Sequence, residues 1–366
     1  MATKTQPIAP GSMLTVQDIQ AYYLDNPFPL GSVDAIMPLE QTLQDSWKTV
    51  SNASYMLNEA ADPLSLNSKI PVAGREGFKT VMGDLATFGK GREMTAEDFE
   101  RYEALKMAFA TTKNPGVAQQ LLDFHGNDLA YLRLAMHSER TYLTYALLSN
   151  ACSIEMVAAN SPYMQSLAAA TYPVGAWQKD NVSTSWANAA ALILDDIATV
   201  KETMEGYGKF ISKIKINQTW FNHVRNNTQV QKHCATLLQS LTSTQSAPTL
   251  EQINGMMATY FDTDIQFEVV KDRITRTIAD GTKTTANPFA DGVVVFTAAT
   301  QVGRFVWKPI YIDDPLRETY ESFFLVGNYK NVDPSYSKIY VKGKGFPVVD
   351  TYADNFYLKA DAVAWQ

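Results

Sequence analysis

The chain has 366 residues, 46% of them hydrophobic and 11% aromatic, which is too apolar for disorder and long enough for two packed cores or one core with extensions. A net charge of −7 argues against a dedicated nucleic-acid binder, which normally shows a basic face. Cys152 and Cys234 are expected as buried, reduced thiols, the polar opening MATKTQPIAPGSM reads as no secretory leader, and the longest apolar stretches fall far short of the roughly 20 residues of a membrane span.

Residues 1–60 read as an arm, with a short helix at Val16–Tyr23 followed by DNPFPLGSVDAIMPLEQ, whose prolines and glycine are hard to place inside a compact core. Removing such an arm (residues 1–45) should leave a folded monomer. Residues 61–113 carry Gly74, Gly77, Gly83, Gly89 and Gly91 between single apolar residues, the pattern of a long two-stranded excursion with little core of its own. Charge is segregated there. Lys69, Arg75, Lys79, Lys90 and Arg92 form a basic group, and Glu93, Glu97, Asp98, Glu100 and Glu103 an acidic one. Two readings stay open: a solvated hairpin followed by a solvated helix start, or a basic loop that meets an acidic patch on a neighbouring copy.

Asn114-Pro115 starts a long helix over about 116–149, with Leu129, Leu132, Met136, Leu143 and Leu147 on one face. Glu139 falls on that stripe, either as a paired, buried acid or at its edge. Ser153–Trp177 reads as strands and turns. Trp186, Ala190, Ile193, Ile197, Val200 and Met204 predict an amphipathic helix, and Ile214 and Ile216 alternate with Lys213 and Lys215 as a half-buried strand. A short helix follows at Thr219–Arg225. Thr249 and Gln252 have capping-box spacing before a helix at Ile253–Tyr260. A strand at Ile265–Val269, a turn at Asp280-Gly281, a buried strand at Val293–Phe296 and closing strands near Tyr340 and Phe356–Leu358 complete the series. The tail, in this reading, returns to the earlier domain.

No constellation for catalysis stands out. GDLATFGK (Gly83–Lys90) has one residue too many for a phosphate loop, and Gly91 stands where Ser or Thr must reach the metal. His125, His137, His223 and His233 form no metal-ligand pair, and no Gly-x-Ser-x-Gly elbow occurs. Asp195-Asp196 and Asp313-Asp314 are sequence neighbours whose side chains should point to different faces. No catalytic, cofactor-binding or metal residue is therefore assigned, no cofactor is expected, and the chain does not read as an enzyme.

The order of segments (Pro/Gly-rich arm, Gly-rich charged loop, long helix, α+β unit, returning strands) resembles the Hong Kong 97-type capsid fold. SERTYLTYALLSNACSIE (Ser138–Glu155), KIKINQTWFNHVRNNTQV (Lys213–Val230), DGVVVFTAATQVGRFVW (Asp291–Trp307) and FPVVDTYADNFYLKADAV (Phe346–Val363) are similar to segments of the lambda-like major capsid protein E family. The resemblance spans roughly residues 50–366 and implies an α+β fold with an N-terminal arm (1–60), an extended β-hairpin loop and its base (61–113), a peripheral domain with a spine helix (114–184), an inserted axial domain (185–330) and return strands (331–366). It further implies a structural major capsid protein of a tailed bacteriophage. Such a chain self-assembles into pentamers and hexamers of an icosahedral head around double-stranded DNA, which it contacts non-specifically.

A separate scaffolding protein, a portal and a decoration protein would be partners, with no membrane involved, and assembly would take place in the host bacterial cytoplasm. Candidate inter-subunit contacts are Lys69, Arg75, Lys79, Lys90, Arg92, Glu93, Asp98, Glu100 and Glu103. An encapsulin-like nanocompartment shell around protein cargo is the alternative within the same fold. An ordinary α+β enzyme or ligand-binding protein is the alternative outside it, disfavoured by an arm and loop that a monomer has little reason to carry.

Overall fold

The computed structural model describes residues 16–28, 31–51, 79–154, 170–237, 247–277, 282–332 and 335–365. Lys69, Arg75 and the Asp280-Gly281 turn lie outside them. The chain opens with α1 (Val16–Asp25), α2 (Ser32–Ile36), β1 (Leu39–Gln41) and β2 (Ser46–Ser51). Ile19, Val33, Ile36 and Met37 are all buried in the main hydrophobic core. The Pro/Gly-rich stretch thus contributes to the core, because short helical turns fold its scattered apolar residues inward. Deleting residues 1–45 would remove core side chains along with any arm.

β3 (Lys79–Asp84) and β4 (Ala86–Met94) follow, then α3 (Ala96–Thr112) and α4 (Pro115–Ser149). Thr95 and Asp98 close a capping box on α3, and Lys113 ends it in the left-handed region with φ 48°. Asn114 accepts from the Gly116 amide at 2.8 Å and Pro115 opens α4, the expected start of the spine. Its expected stripe, Leu129, Leu132, Met136, Leu143 and Leu147, is buried throughout. The helix stops where Ala151 and Cys152 both take positive φ.

Beyond it lie β5 (Ser153–Ile154), β6 (Ala170–Thr171), β7 (Lys179–Asn181), α5 (Ile193–Gly206), β8 (Lys213–Asn217), α6 (Gln218–Asn226), α7 (Thr228–Leu237) and α8 (Leu250–Phe261). α5 starts at Ile193 and not near Trp186. Ser185 Oγ and Asn188 Oδ1 accept from nearby amides, and Asn227 Nδ2 donates to the carbonyls of Ala189 and Ala191, so side chains outcompete the helix there. Trp186 is buried as expected, with its indole donating to Asp196 at 2.8 Å.

The remaining strands are β9 (Gln266–Val270), β10 (Ile274–Thr277), β11 (Lys283–Ala286), β12 (Val293–Thr297), β13 (Gly303–Trp307), β14 (Glu318–Glu321), β15 (Phe324–Val332), β16 (Ser335–Val349) and β17 (Phe356–Lys359). One sheet runs β1-β13-β16-β15-β14 with β4 added to β16, and packs on α4. A second runs β7-β17-β12-β8-β9. β2 pairs with β3, and β10 with β11. Among the described residues the two strands of the Gly-rich segment pair with other parts of the chain. β3 pairs back to residues 46–51, and β4 joins β16, where a Cβ on Gly89 would stand 2.7 Å from the Val341 carbonyl oxygen. The strand at Phe356–Leu358 enters the second sheet and not the one on α4, while β13, β14 and β15 join the first.

Two cores result, and β12 belongs to both. Val293 and Val295 face the core of α4 and the six-stranded sheet, whereas Val294 and Phe296 face the core of α5, α6, α7 and α8. Lys215 of β8, expected at a half-buried edge, is fully buried because this sheet is covered on both faces. It pairs with Glu268, and burial lowers its pKa. Phe296→Ala should lower the free energy of unfolding by about 3–5 kcal/mol. Chemical denaturation should still show one transition; two separated transitions would mean that the cores unfold independently.

Candidate assembly surface

The charged segment resolves into three kinds of position. Lys79 ends the β2–β3 ladder opposite Ser51, and its side chain lies outside the described residues. Lys90, Arg92 and Glu93 are exposed in a row on β4, opposite Val341, Ile339 and Lys338 of β16. Arg92 pairs with Asp128 of α4 and lies 4.8 Å over the Tyr131 ring, and Glu93 pairs with Lys338 at 3.1 Å. Asp98 accepts from the Thr95 amide at 3.0 Å as the cap of α3, and this bond holds its carboxyl below the usual range. Glu103 pairs with Lys106 at 3.2 Å, and Glu100 is exposed. Arg92, Glu93, Asp98 and Glu103 are thus engaged within the chain. Lys90 and Glu100 form no ion pair among the described residues.

No local pattern in the sequence points to the root of the ladder. Trp47 of β2 is almost fully buried, stacked 5.6 Å from Tyr172 and 5.5 Å from Phe346. Its partner across the ladder is Gly83, where an added Cβ would lie 2.9 Å from the indole ring. Asp45 accepts from Lys308 at 2.8 Å and from Lys344 at 2.5 Å, and these bonds lower its pKa to about 2. Arg304 of β13 pairs with Glu40 at 2.9 Å and donates to the Lys48 carbonyl at 3.2 Å, while Thr49 donates to Asp350 at 2.7 Å. The root is cross-braced to β13 and β16, so the ladder leaves the body in a fixed direction. Its outward face meanwhile shows Val50 at 51% and Met82 at 71% exposure.

Glu139 proves to be a paired acid. Arg276 of the β10–β11 hairpin meets it at 3.3 Å and lies 3.7 Å over the Tyr142 ring; burial raises the Glu139 pKa and Arg276 opposes that rise. Asp195 and Asp196 take separate partners as expected. Asp195 accepts from Gln229 and Asp196 from Trp186, while Asp314 pairs with Arg317. Among the described residues no group of three or more His, Cys, Asp or Glu could hold a metal, and no helix is long and apolar enough to cross a membrane.

Gly83→Val should drive the indole of Trp47 from its slot at a cost of about 1–3 kcal/mol. Tryptophan fluorescence and chemical denaturation would record both changes; an unchanged spectrum would mean that the slot is not tightly packed.

No family model matches the chain, and no curated protein matches it. Among solved structures, a phage-related protein from Bordetella bronchiseptica RB50 superposes with a TM-score of 0.50 at 11% identity, covering 97% of this chain and 100% of that one. A candidate capsid protein of a prophage of Escherichia coli CFT073 superposes with a TM-score of 0.57 at 11% identity, covering 95% and 99%. At this identity the likeness speaks to architecture alone: the chain has the α+β, Hong Kong 97-like capsid fold.

Proposed function

We propose that this chain is the major capsid protein of a tailed bacteriophage, a structural subunit with no catalytic step of its own. Copies would form rings of five and six that close into an icosahedral head around double-stranded DNA. The observation that carries the proposal is the braced β2–β3 ladder. It is anchored by Trp47, Asp45 and Arg304, yet it turns Val50 and Met82 to solvent. A monomer gains nothing from fixing the direction of an apolar face that it leaves uncovered.

Rings of identical copies need heterologous contacts, in which one surface meets a different surface of the next copy. In this reading the outward face of the ladder lies on the adjacent subunit, and Lys90 and Glu100 add exposed charge of both signs nearby. Lys69, Arg75 and Lys79 are proposed to act with them. Each exposed ion pair would contribute about 0–1 kcal/mol, so the strength of the shell comes from repetition and buried apolar area. The unit of α5, α6, α7 and α8 on the second sheet would fill ring centres, and α4 with the first sheet would form the periphery. A separate scaffolding protein, a portal and a decoration protein are the proposed partners, together with non-specific contact to packaged DNA.

Val50→Asp with Met82→Asp places charge on the face that would be covered while leaving the core untouched. Sedimentation velocity should show assemblies for the wild type and only monomers or isolated rings for the variant, with the unfolding midpoint unchanged. Normal shells from the variant would remove the ladder from the contact. Replacing Lys69, Arg75, Lys79 and Lys90 by Gln should weaken assembly in the same direction. Arg92 is best left in place, because Asp128 and Tyr131 already engage it. Nucleic acid inside closed particles supports a phage head, whereas protein cargo would point to a nanocompartment.

A further inference from the structure

Three side chains on one face of the spine helix, Arg133, His137 and Arg140, hold the first part of the chain against it. Arg133 donates to the Asn26 carbonyl, pairs with Glu321 of β14, and lies 4.8 Å over Tyr23 and 5.4 Å over Phe28. Arg140 donates to Asp34 at 2.6 Å and to the Met37 carbonyl at 2.6 Å. Between them the imidazole of His137 stacks face to face on Phe28, with ring centroids 3.9 Å apart and planes 10° from parallel. The edges of Phe323 and Phe324 close the other side at 5.4 and 6.0 Å. Residues at i, i+4 and i+7 share one helical face, so a charged imidazole would sit between two guanidinium groups.

We propose that this Arg133–His137–Arg140 stripe is an acid-operated latch: with a neutral imidazole residues 16–28 stay docked on the spine helix, and a proton on the ring releases Phe28 and the α1 segment with it. The groups facing His137 set the sign. After burial, Arg140 on its own helix opposes the imidazolium most, Asp34 of α2 favours it less strongly, and Arg133 opposes it least. Burial adds the largest contribution, and together they lower the ring's pKa to about 4. A depressed folded-state value means that docking is fully supported above the ordinary histidine range and is lost as pH falls through about 4.

Glu321 acts the other way. Burial raises its carboxyl to about 7, so its share of stability is complete in acid and fades as pH rises through that value. Tyr23 titrates far above neutrality and takes no part. Docking does not rest on the latch alone, since Gln20 also donates to Thr319 at 2.9 Å.

Hydrogen exchange on the full chain, read by mass spectrometry and corrected for intrinsic pH dependence, tests the latch. Between about pH 7 and about pH 4.5 the amides of residues 16–28 should lose on the order of 20- to 80-fold in protection relative to His137→Phe, in which the opposite contribution of Glu321 remains, with Val293–Thr297 unchanged as the internal reference. His137→Phe retains the stack, has no proton to accept, and should gain protection toward acid through Glu321. His137→Gln serves the same comparison if the larger ring does not fit. An equal change in wild type and variants would overturn the proposal.

Discussion

Five consecutive residues, Val293–Thr297, are buried on both faces of one strand, and the remainder of the structure is arranged to make that burial complete. A strand with no polar face must lie inside a sheet that is covered on both sides. Four helices cover one side, and the spine helix with the six-stranded sheet covers the other. Alternate side chains of β12 then supply two cores from a single backbone, which ties the units mechanically. One consequence is the buried Lys215–Glu268 pair: a charged residue at an alternating position of the neighbouring strand has no solvent to reach, and it must find a partner.

A body this well connected leaves its adhesive features at the margin. The β2–β3 ladder is rooted by an indole between two aromatic rings and by carboxylates held between cations, so its stiffness originates in the body. Apolar side chains on its free face, exposed charges on β4 and α3, and an N-terminal segment docked through arginines and one histidine are the features on which the proposed contact with other copies rests. Heterologous contacts of modest individual strength suit a shell, since they permit correction of errors during assembly and become effectively permanent once closure multiplies them.

Local signals were legible. Asn114-Pro115, Thr249 with Gln252, and the Leu129–Leu147 stripe each predict an element from chemistry within a few residues, and the structure has those elements there. The burial of Val293–Phe296 could be read from its unbroken apolar run. What could not be read is pairing at long range. Nothing near Asp45 points to Lys344, nothing near Trp47 points to Phe346, and the glycines at 83 and 89 have meaning only once their partners are in place. The same limit explains the late start of α5, where Asn227 decides the conformation of residues far upstream. It also explains the supposed arm, whose isolated apolar residues become core only against α4. At the candidate surface, the charge pattern could be read from the sequence, while the intrachain partners of Arg92 and Glu93 required the fold.

Electron micrographs of the full chain, expressed alone and taken from the leading peak of a size-exclusion column, test the shell assignment most directly. Rings, tubes or closed shells of regular diameter are the expected result. A monodisperse monomer whose residues 1–110 resist protease would show that the N-terminal segment and ladder belong to a self-contained domain, and would contradict it.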